Sequence, residues 1–167
     1  MEGGVHYGKD AYGYNYSNQI NNYDADIVVF NCDPPLIFDV KAHGLKIKRI
    51  KYSDYSLVYE IKEGALFLVR LEFEPALLFK SGAILGTEPS RPYPNNQRCV
   101  YTFGAHPIDY TGVFRIGKDF DFRFWQGDEK ANPTPFCPEV YKQNGFIRFE
   151  NGRVVETELK PRESIGS

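Results

Sequence analysis

Residues 55–73 read YSLVYEIKEGALFLVRLEF, and this stretch decides the fold class. Apolar residues recur at every second position on both sides of Gly64. Alternation with a period of two is typical of a β-strand with one buried face, and a glycine between two such runs is typical of a hairpin turn. The stretch therefore predicts an antiparallel pair of strands.

The register of this hairpin depends on the length of its loop. A three-residue loop pairs Tyr59 with Phe67, keeps the alternating apolar residues on one face, and uses Gly64 at the left-handed position of a bulge. A two-residue loop pairs Tyr59 with Leu68 and leaves Phe67 and Val69 on the other face. We expect the three-residue loop, because it gathers more of the apolar residues on one side.

Two later segments continue the β pattern. Residues 110–125 alternate between two faces, one with Lys118, Phe120, Phe122 and Phe124, the other with Asp119, Asp121, Arg123 and Trp125. Residues 145–159 predict a second hairpin around Glu150-Asn151-Gly152. A three-residue loop there gives a buried face made of Ile147, Phe149, Val155, Thr157 and Leu159.

The remaining chain alternates between short apolar runs, such as 27–30, 45–51 and 99–103, and loops rich in proline and glycine. The sequence therefore predicts a mainly β, single-domain protein, built as an antiparallel sheet, sandwich or barrel with at most one or two short helices. We assign residues 26–159 to this domain, 1–25 to an N-terminal arm rich in Tyr, Gly and Asn, and 160–167 to a polar tail.

The composition fits such a domain. The 167 residues carry a net charge of −2, and 16% of them are aromatic, which favours strands. This charge lacks the basic balance of a nucleic-acid-binding domain. The basic cluster consists of Lys41, Lys46, Lys48, Arg49 and Lys51. Strand alternation divides these charges between two faces, so we do not expect a nucleic-acid partner.

The sequence predicts neither membrane attachment nor secretion. No run approaches the roughly 18 consecutive apolar residues of a membrane helix, and residues 1–13 are polar and glycine-rich. The cysteines, Cys32, Cys99 and Cys137, are odd in number and widely spaced, which fits reduced thiols better than a disulfide framework. We therefore expect a cytoplasmic protein.

Recognisable catalytic and metal-binding motifs are missing from the sequence. His6, His43 and His106 lack the short spacing of metal ligands, so we expect neither a metal nor a cofactor. Cys99 or Cys137 with His106 and an aspartate would be the minimum for a nucleophilic site. Because Cys99 opens an apolar strand, a buried structural thiol is the favoured interpretation.

Charged residues of the 110–125 strand form the first candidate site. Asp119, Asp121 and Arg123 fall on one strand face, with Trp125 on the same side. The group fits a partner-binding surface, an acidic pair for acid–base chemistry, or a solvated sheet face.

Tyrosines of the N-terminal arm form the second candidate site. Tyr12, Tyr14 and Tyr16 alternate, so they would share one face of an extended chain. They fit an aromatic arm that docks on a partner, or a strand that packs on its own domain.

Three segments carry a resemblance to known proteins. They read YEIKEGALFL from Tyr59, YTGVFRI from Tyr110 and FIRFENGRVV from Phe146. Their order resembles a group of small, uncharacterised bacterial β-rich proteins, in which an aromatic-Glu-Ile strand turns at glycine into Leu-Tyr-Leu, an aromatic-x-Gly-x-x-Arg-Ile strand follows, and a glycine-turned hairpin closes the chain. This sequence has Phe67 where the group favours Tyr, and Tyr110 where it favours Trp. Some such proteins resemble immunity partners of bacterial toxins, so the resemblance implies a non-enzymatic binding protein and transfers no catalytic residue.

We therefore expect a non-catalytic protein-binding module, in its most concrete form an immunity-type protein that neutralises a bacterial toxin. Mild acidity suits a basic partner, because complementary charge speeds association. The alternative is a small-molecule-binding β protein, or a small hydrolase that uses Asp119, Asp121 or His106. The candidate partner-binding residues are Asp119, Asp121, Arg123, Trp125, Tyr12, Tyr14 and Tyr16.

Overall fold

A computed structural model describes residues 5–24, 26–50, 53–76, 82–91, 98–121 and 138–162. Within these ranges nine strands form one sheet. The strands are β1 (Val5–Lys9), β2 (Asn15–Asn21), β3 (Ile27–Asp33), β4 (Tyr55–Lys62), β5 (Ala65–Phe73), β6 (Cys99–Pro107), β7 (Gly112–Phe120), β8 (Tyr141–Glu150) and β9 (Arg153–Pro161), and a 3₁₀ turn at Pro138–Val140 precedes β8. The predicted mainly β, single-domain fold is confirmed.

The sheet curls into a half-barrel. Its strand order is β1-β2-β4-β5-β9-β8-β7-β3, and β6 pairs with β5 beside this path. β2 and β4 run parallel, and the other described neighbours are antiparallel. The parallel pair arises because β3 lies at the far end of the sheet, so the chain must return through residues 34–54 before it enters β4 beside β2.

The described part of the N-terminal segment belongs to this sheet. β1 and β2 form its first hairpin, and β2 pairs with β4. Tyr16 lies on the inner face of β2 and is buried. Residues 5–24 therefore follow the second interpretation of the segment, in which it packs on its own domain.

The β4–β5 hairpin has a two-residue loop, so the expected three-residue loop is wrong. Tyr59 pairs with Leu68, and the loop consists of Glu63 and Gly64 with φ values of 52° and 74°. Two consecutive positive φ values match the right-handed twist of the flanking strands. A bulge at Val69 restores the alternation, so that the apolar residues toward the end of β5 still face inward.

The β8–β9 hairpin departs from prediction in the same way. Its loop is Asn151-Gly152, with φ values of 50° and 79°. Val155 is the extra residue of a bulge and lies 45% exposed, whereas Val154 packs against the core in its place. Thr157 is also exposed, so it and Val155 were wrongly assigned to the buried face. The other residues of that face contact the core as expected, namely Ile147, Phe149 and Leu159.

The apolar core fills the inner face of the half-barrel, and an irregular segment covers it. Residues 34–47 pack against the strands through five buried side chains, Leu36, Phe38, Val40, Leu45 and Ile47. The predicted strand at 45–51 is not formed in the described residues 45–50. Only an isolated bridge between Ile47 and Pro75 occurs there, although the alternating burial is as expected.

Polar groups inside the core hold this covering segment in place. Asn18 Nδ2 donates a hydrogen bond of 2.7 Å to the Leu36 carbonyl. The Tyr110 hydroxyl donates one of 2.7 Å to the Pro34 carbonyl. Carbonyls outside the sheet lack ladder partners, and leaving one unpaired costs most where the residue is buried, as Leu36 is.

Two buried aspartates organise the ends of β2 and β4. Asp10 Oδ1 accepts hydrogen bonds from the backbone N–H groups of Tyr12 and Tyr14. Asp54 is 1% exposed and accepts the backbone N–H groups of Asn15 and Ile50, at 2.8 and 2.7 Å. Each carboxylate therefore replaces backbone acceptors that the irregular chain does not supply.

Replacing Asp54 with Ala tests this role. The change leaves two backbone donors without their acceptor, so we expect a loss of about 2–4 kcal/mol in the free energy of unfolding. Urea denaturation measures it, with the exposed Asp26→Ala variant as a control. A similar small effect in both variants would contradict the role of Asp54.

Burial also changes the ionisation of the core. It raises the pKa of the Cys32 thiol to about 12. Burial likewise raises the pKa of Tyr55, Tyr59 and Tyr110 above the ordinary value of 10.0, helped at Tyr55 by its hydrogen bond to Asp10. These four groups keep their protons in the folded protein at a pH where the unfolded chain loses them.

The protein should therefore lose stability in alkali. Ionisation favours the unfolded chain, so we expect the free energy of unfolding to fall above about pH 8.5, where unfolded Cys ionises, and more steeply above about pH 10, where unfolded Tyr does. Urea midpoints measured between about pH 8 and about pH 11 give this dependence. A midpoint that stays constant over this interval would contradict the buried state of these groups.

Candidate functional site

The structure separates the two aspartates that the sequence placed on one strand face. The alternation ends at Asp119, which has a φ of 60°, lies exposed and accepts a hydrogen bond from Gln143. Asp121 is 1% exposed, and its Oδ2 lies 2.9 Å from Nη2 of Arg162. The predicted placement of both aspartates on one strand face is therefore wrong, because the left-handed residue Asp119 turns the chain before Asp121.

His106, the third residue of the acid–base alternative, lies far from Asp119. Arg123 and Trp125 lie outside the described residues. His106 pairs with Leu68 in β5, at the end of the sheet where Gly112 begins β7. Asp119 lies at the other end of β7, roughly 20 Å away along the strand. His106 and the two aspartates therefore do not converge on one acid–base site.

The N-terminal tyrosines contact their own domain instead of sharing one exposed face. Tyr16 is buried and stacks on a core tyrosine. Tyr12 and Tyr14 lie half-buried in the β1–β2 turn. Lys41 Nζ lies 4.3 Å from the centre of the Tyr12 ring, and the Arg49 guanidinium lies 4.5 Å from that of Tyr14. These cation–π contacts join the turn to Lys41 of the covering segment and to Arg49, which follows that segment in the chain.

Cys99 and Cys32 are buried, as expected for structural thiols, whereas Cys137 lies outside the described residues. Across the described ranges, no cluster of three or more His, Cys, Asp or Glu side chains is arranged to hold a metal ion. The described part of the chain also contains no helix whose length and apolar character would suffice to span a bilayer.

A groove on the outer face of β2, β4 and β5 is the candidate site that the structure adds. Its volume is about 300 Å³. The residues that line it are Ser17, Gln19, Ser56, Leu57, Val58, Arg70 and Glu72. Most occupy alternate strand positions whose neighbours point into the core, so the same pleat that buries the apolar residues exposes the polar ones. We call this feature the serine–arginine groove.

A charge network lies along the groove. Glu72 Oε2 is 2.8 Å from Arg70 Nη2, and Glu72 Oε1 is 2.6 Å from Arg98 Nε. The Glu72 and Arg98 side chains are only 16% and 19% exposed, whereas Arg70 is 41% exposed. Arg70 and Glu72 thus line the groove, and Arg98 contacts Glu72 from beside it.

A serine cluster lies beside this network. The parallel register places Ser17 directly opposite Ser56, and Ser17 Oγ donates a hydrogen bond of 3.0 Å to Ser56 Oγ. Arg98 Nη2 also donates to Ser56 Oγ, at 3.4 Å. The Ser53 hydroxyl donates to the Tyr55 carbonyl at 2.9 Å and lies 3.4 Å from Ser17 Oγ.

The groove presents hydroxyl, amide, guanidinium and carboxylate groups to a ligand. Its described lining contains no histidine, cysteine or lysine that could act as a base for a serine hydroxyl. Its carboxylate, Glu72, is already held by two guanidinium groups. Hydroxyl and guanidinium donors therefore dominate the surface that a ligand would meet.

Sequence reasoning missed this groove because its parts come from distant segments. Arg70 and Glu72 stand at outward positions of the β5 pattern, which is a readable signal. Ser17 and Arg98 join them only through the parallel β2–β4 pairing and the return of the chain to β6.

Comparisons with known proteins find no matching family, no similar curated protein and no similar solved structure.

Substitution of Asp121 should lower the free energy of unfolding far more than substitution of Asp119, although the two residues occupy equivalent positions in the sequence pattern. Asp121→Ala removes the carboxylate of a largely buried ion pair with Arg162, so we expect a loss of about 3 kcal/mol in the free energy of unfolding. Asp119→Ala removes one exposed hydrogen bond and should change that energy by less than about 0.5 kcal/mol. Chemical denaturation of both variants measures the difference, and equal effects would contradict the structural role of Asp121.

Proposed function

We propose that this protein is a non-catalytic protein-binding module that engages its partner through the serine–arginine groove. An immunity-type protein that neutralises a bacterial toxin, as the sequence resemblance implies, is the most concrete form of this proposal. The observation that carries it is the partly desolvated Arg70–Glu72–Arg98 network on the outer face of the sheet.

The position of the network supports a binding role. Residues on the outer face of a sheet can satisfy their charges in water, and burial of such groups without a partner is costly. Here Glu72 and Arg98 are mostly buried although the apolar core lies on the opposite face. The groove therefore holds charged groups in fixed positions, where arginine is often a strong contributor to protein interfaces.

The support for these residues is rigid. Ser17, Ser56 and Arg70 all lie within strands rather than loops. Sites on strands hold their geometry better than sites on loops, and a side chain fixed before binding loses less entropy on association. Such a preformed polar surface fits a protein partner that contributes complementary polar groups.

The groove volume favours a second candidate function. About 300 Å³ is at the lower end of the range for small-molecule sites, so a small polar molecule would fit. The hydrolase form of this alternative has less support, because Asp119, Asp121 and His106 are not assembled. A small-molecule-binding β protein therefore stays as the alternative.

A charge-reversal variant tests the protein-binding proposal. Proteins encoded beside this chain's gene are coexpressed with it, and any that copurifies is measured as a purified pair by calorimetry. We expect Arg70→Glu to raise Kd at least about tenfold, since it reverses a charge at the centre of the proposed contact. It should also weaken protection of cells against that partner if the partner is toxic.

Lys142→Glu is the matched control, because Lys142 is exposed on β8 and does not line the groove. It should leave Kd unchanged. Equal binding by wild type and Arg70→Glu would remove the groove from the proposed contact. Binding of a small polar molecule by the wild type, with no protein partner, would favour the second candidate function.

A further inference from the structure

We infer that the serine–arginine groove, together with the exposed ring of Tyr7 beside it, binds an uncharged sugar. This inference rests on the proposed function in its small-molecule form, because it names the class of polar molecule that the same groove would take. It depends on three features: an aromatic ring on the face of the groove, a free donor and a free acceptor in the lining, and lining charges that are paired with each other.

Tyr7 adds an aromatic ring to the face that carries the groove. It lies directly opposite Ser17 in the β1–β2 pair, and directly opposite residues of an antiparallel pair project from the same face of a sheet. Ser17 lies opposite Ser56, and Ser56 lies opposite Glu72. One row of side chains therefore runs from Tyr7 across the groove to Glu72, over three strand spacings or about 14 Å.

The ring of Tyr7 is available for stacking. Tyr7 is 72% exposed, more than any other large apolar residue that the structure describes. Its side chain makes no hydrogen bond or ring contact with the described residues, whereas Tyr12, Tyr14 and Tyr16 all contact their own domain. An exposed aromatic ring that stacks on the C–H face of a sugar ring removes apolar surface of both from water.

The lining of the groove supplies both a donor and an acceptor. Arg70 uses Nη2 for Glu72, and its other N–H groups have no partner among the described residues, on a side chain that is 41% exposed. Ser17 Oγ donates to Ser56 at 3.0 Å and lies 3.4 Å from the Ser53 hydroxyl, so at least one of its two lone pairs remains. A ligand therefore meets N–H donors at Arg70 and a hydroxyl acceptor at Ser17.

This combination favours an uncharged ligand that carries several hydroxyl groups. A hydroxyl group can accept from Arg70 and another can donate to Ser17, and a sugar offers both at once. A carboxylate has no proton for Ser17, and an ammonium group has no lone pair for Arg70. The two charged residues of the lining, Arg70 and Glu72, are ion-paired with each other. The volume of about 300 Å³ accommodates a single sugar ring.

The experiment is an NMR titration of the isolated full chain with the methyl glycosides of glucose, galactose, mannose and N-acetylglucosamine. Parallel titrations use glycerol, which has hydroxyl groups but no ring, and sodium acetate, which is charged. We expect saturable shifts of the Tyr7, Ser17 and Ser56 amides with at least one glycoside, and none with glycerol or acetate.

Variants of the groove test the role of each feature. Tyr7→Ala should weaken binding of that glycoside about fivefold because it removes the stacking ring, whereas Tyr7→Phe keeps the ring and should change binding less than about twofold. Ser17→Ala and Arg70→Gln should each weaken it several-fold. Tyr23→Ala is the matched control, because Tyr23 is also exposed, at 59%, but does not line the groove. It should leave binding unchanged.

Three results would overturn the inference. The first is the absence of saturable shifts with all four glycosides. The second is binding that Tyr7→Ala and Ser17→Ala both leave unchanged, or shifts that glycerol reproduces in full. The third is tighter binding of acetate than of every glycoside, which would assign the groove to a charged ligand. Dispersed spectra establish that each variant folds, and the exposed position of Tyr7 keeps the test decisive if a substitution inside the groove unfolds the chain.

The titration needs no protein partner, so the two proposals can fail separately. Glycoside binding that depends on Tyr7, together with partner binding that Arg70→Glu leaves unchanged, would retain the sugar site and remove the groove from the proposed protein contact. Partner binding that depends on Arg70, without glycoside binding, would retain the protein-binding proposal and reject the sugar.

Discussion

A sheet that curls only halfway into a barrel leaves its inner apolar face open on one side, and that side must be covered. Residues 34–47 do this through alternating buried side chains, although they form no regular strand. Their backbone carbonyls therefore lack the hydrogen bonds that a strand ladder would supply. Asn18 and Tyr110 donate to two of them. Asn18 and Tyr110 thus hold the covering segment, and Asp54 accepts two backbone N–H groups, those of Asn15 and Ile50.

The strand order that forms the half-barrel also determines which side chains meet on its outer face. Because β3 pairs at the far end of the sheet, the chain re-enters at β4 parallel to β2. This pairing sets Ser17 beside Ser56, and the adjacent β5 adds Arg70 and Glu72. The serine–arginine groove is therefore a product of topology as well as of strand alternation. Its charges lie opposite the core, where the fold does not require them, which is why a binding role is proposed for them.

Several residues of the two candidate sites predicted from the sequence contribute to the fold. Asp121 is ion-paired with Arg162, and Tyr16 is part of the core. Tyr12 and Tyr14 hold the β1–β2 turn against Lys41 and Arg49. The many tyrosines of the N-terminal segment thus contribute to packing, since tyrosine supplies both apolar surface and a hydroxyl group. The type of a residue therefore indicates its role less well than its contacts in the folded structure do.

The sequence by itself determined the mainly β class, the two glycine-turned hairpins and the alternation of burial in segments such as 45–50, because these follow from local periodicity and turn chemistry. It did not determine the registers: positive φ values at Glu63 and Asn151 allow two-residue loops, and the bulges at Val69 and Val155 depend on contacts across the sheet. Nor could it assemble the groove. Only the tertiary structure decided that Ser17, Arg70 and Arg98 meet, because the pairing of β2 with β4 joins strands that are far apart in the chain.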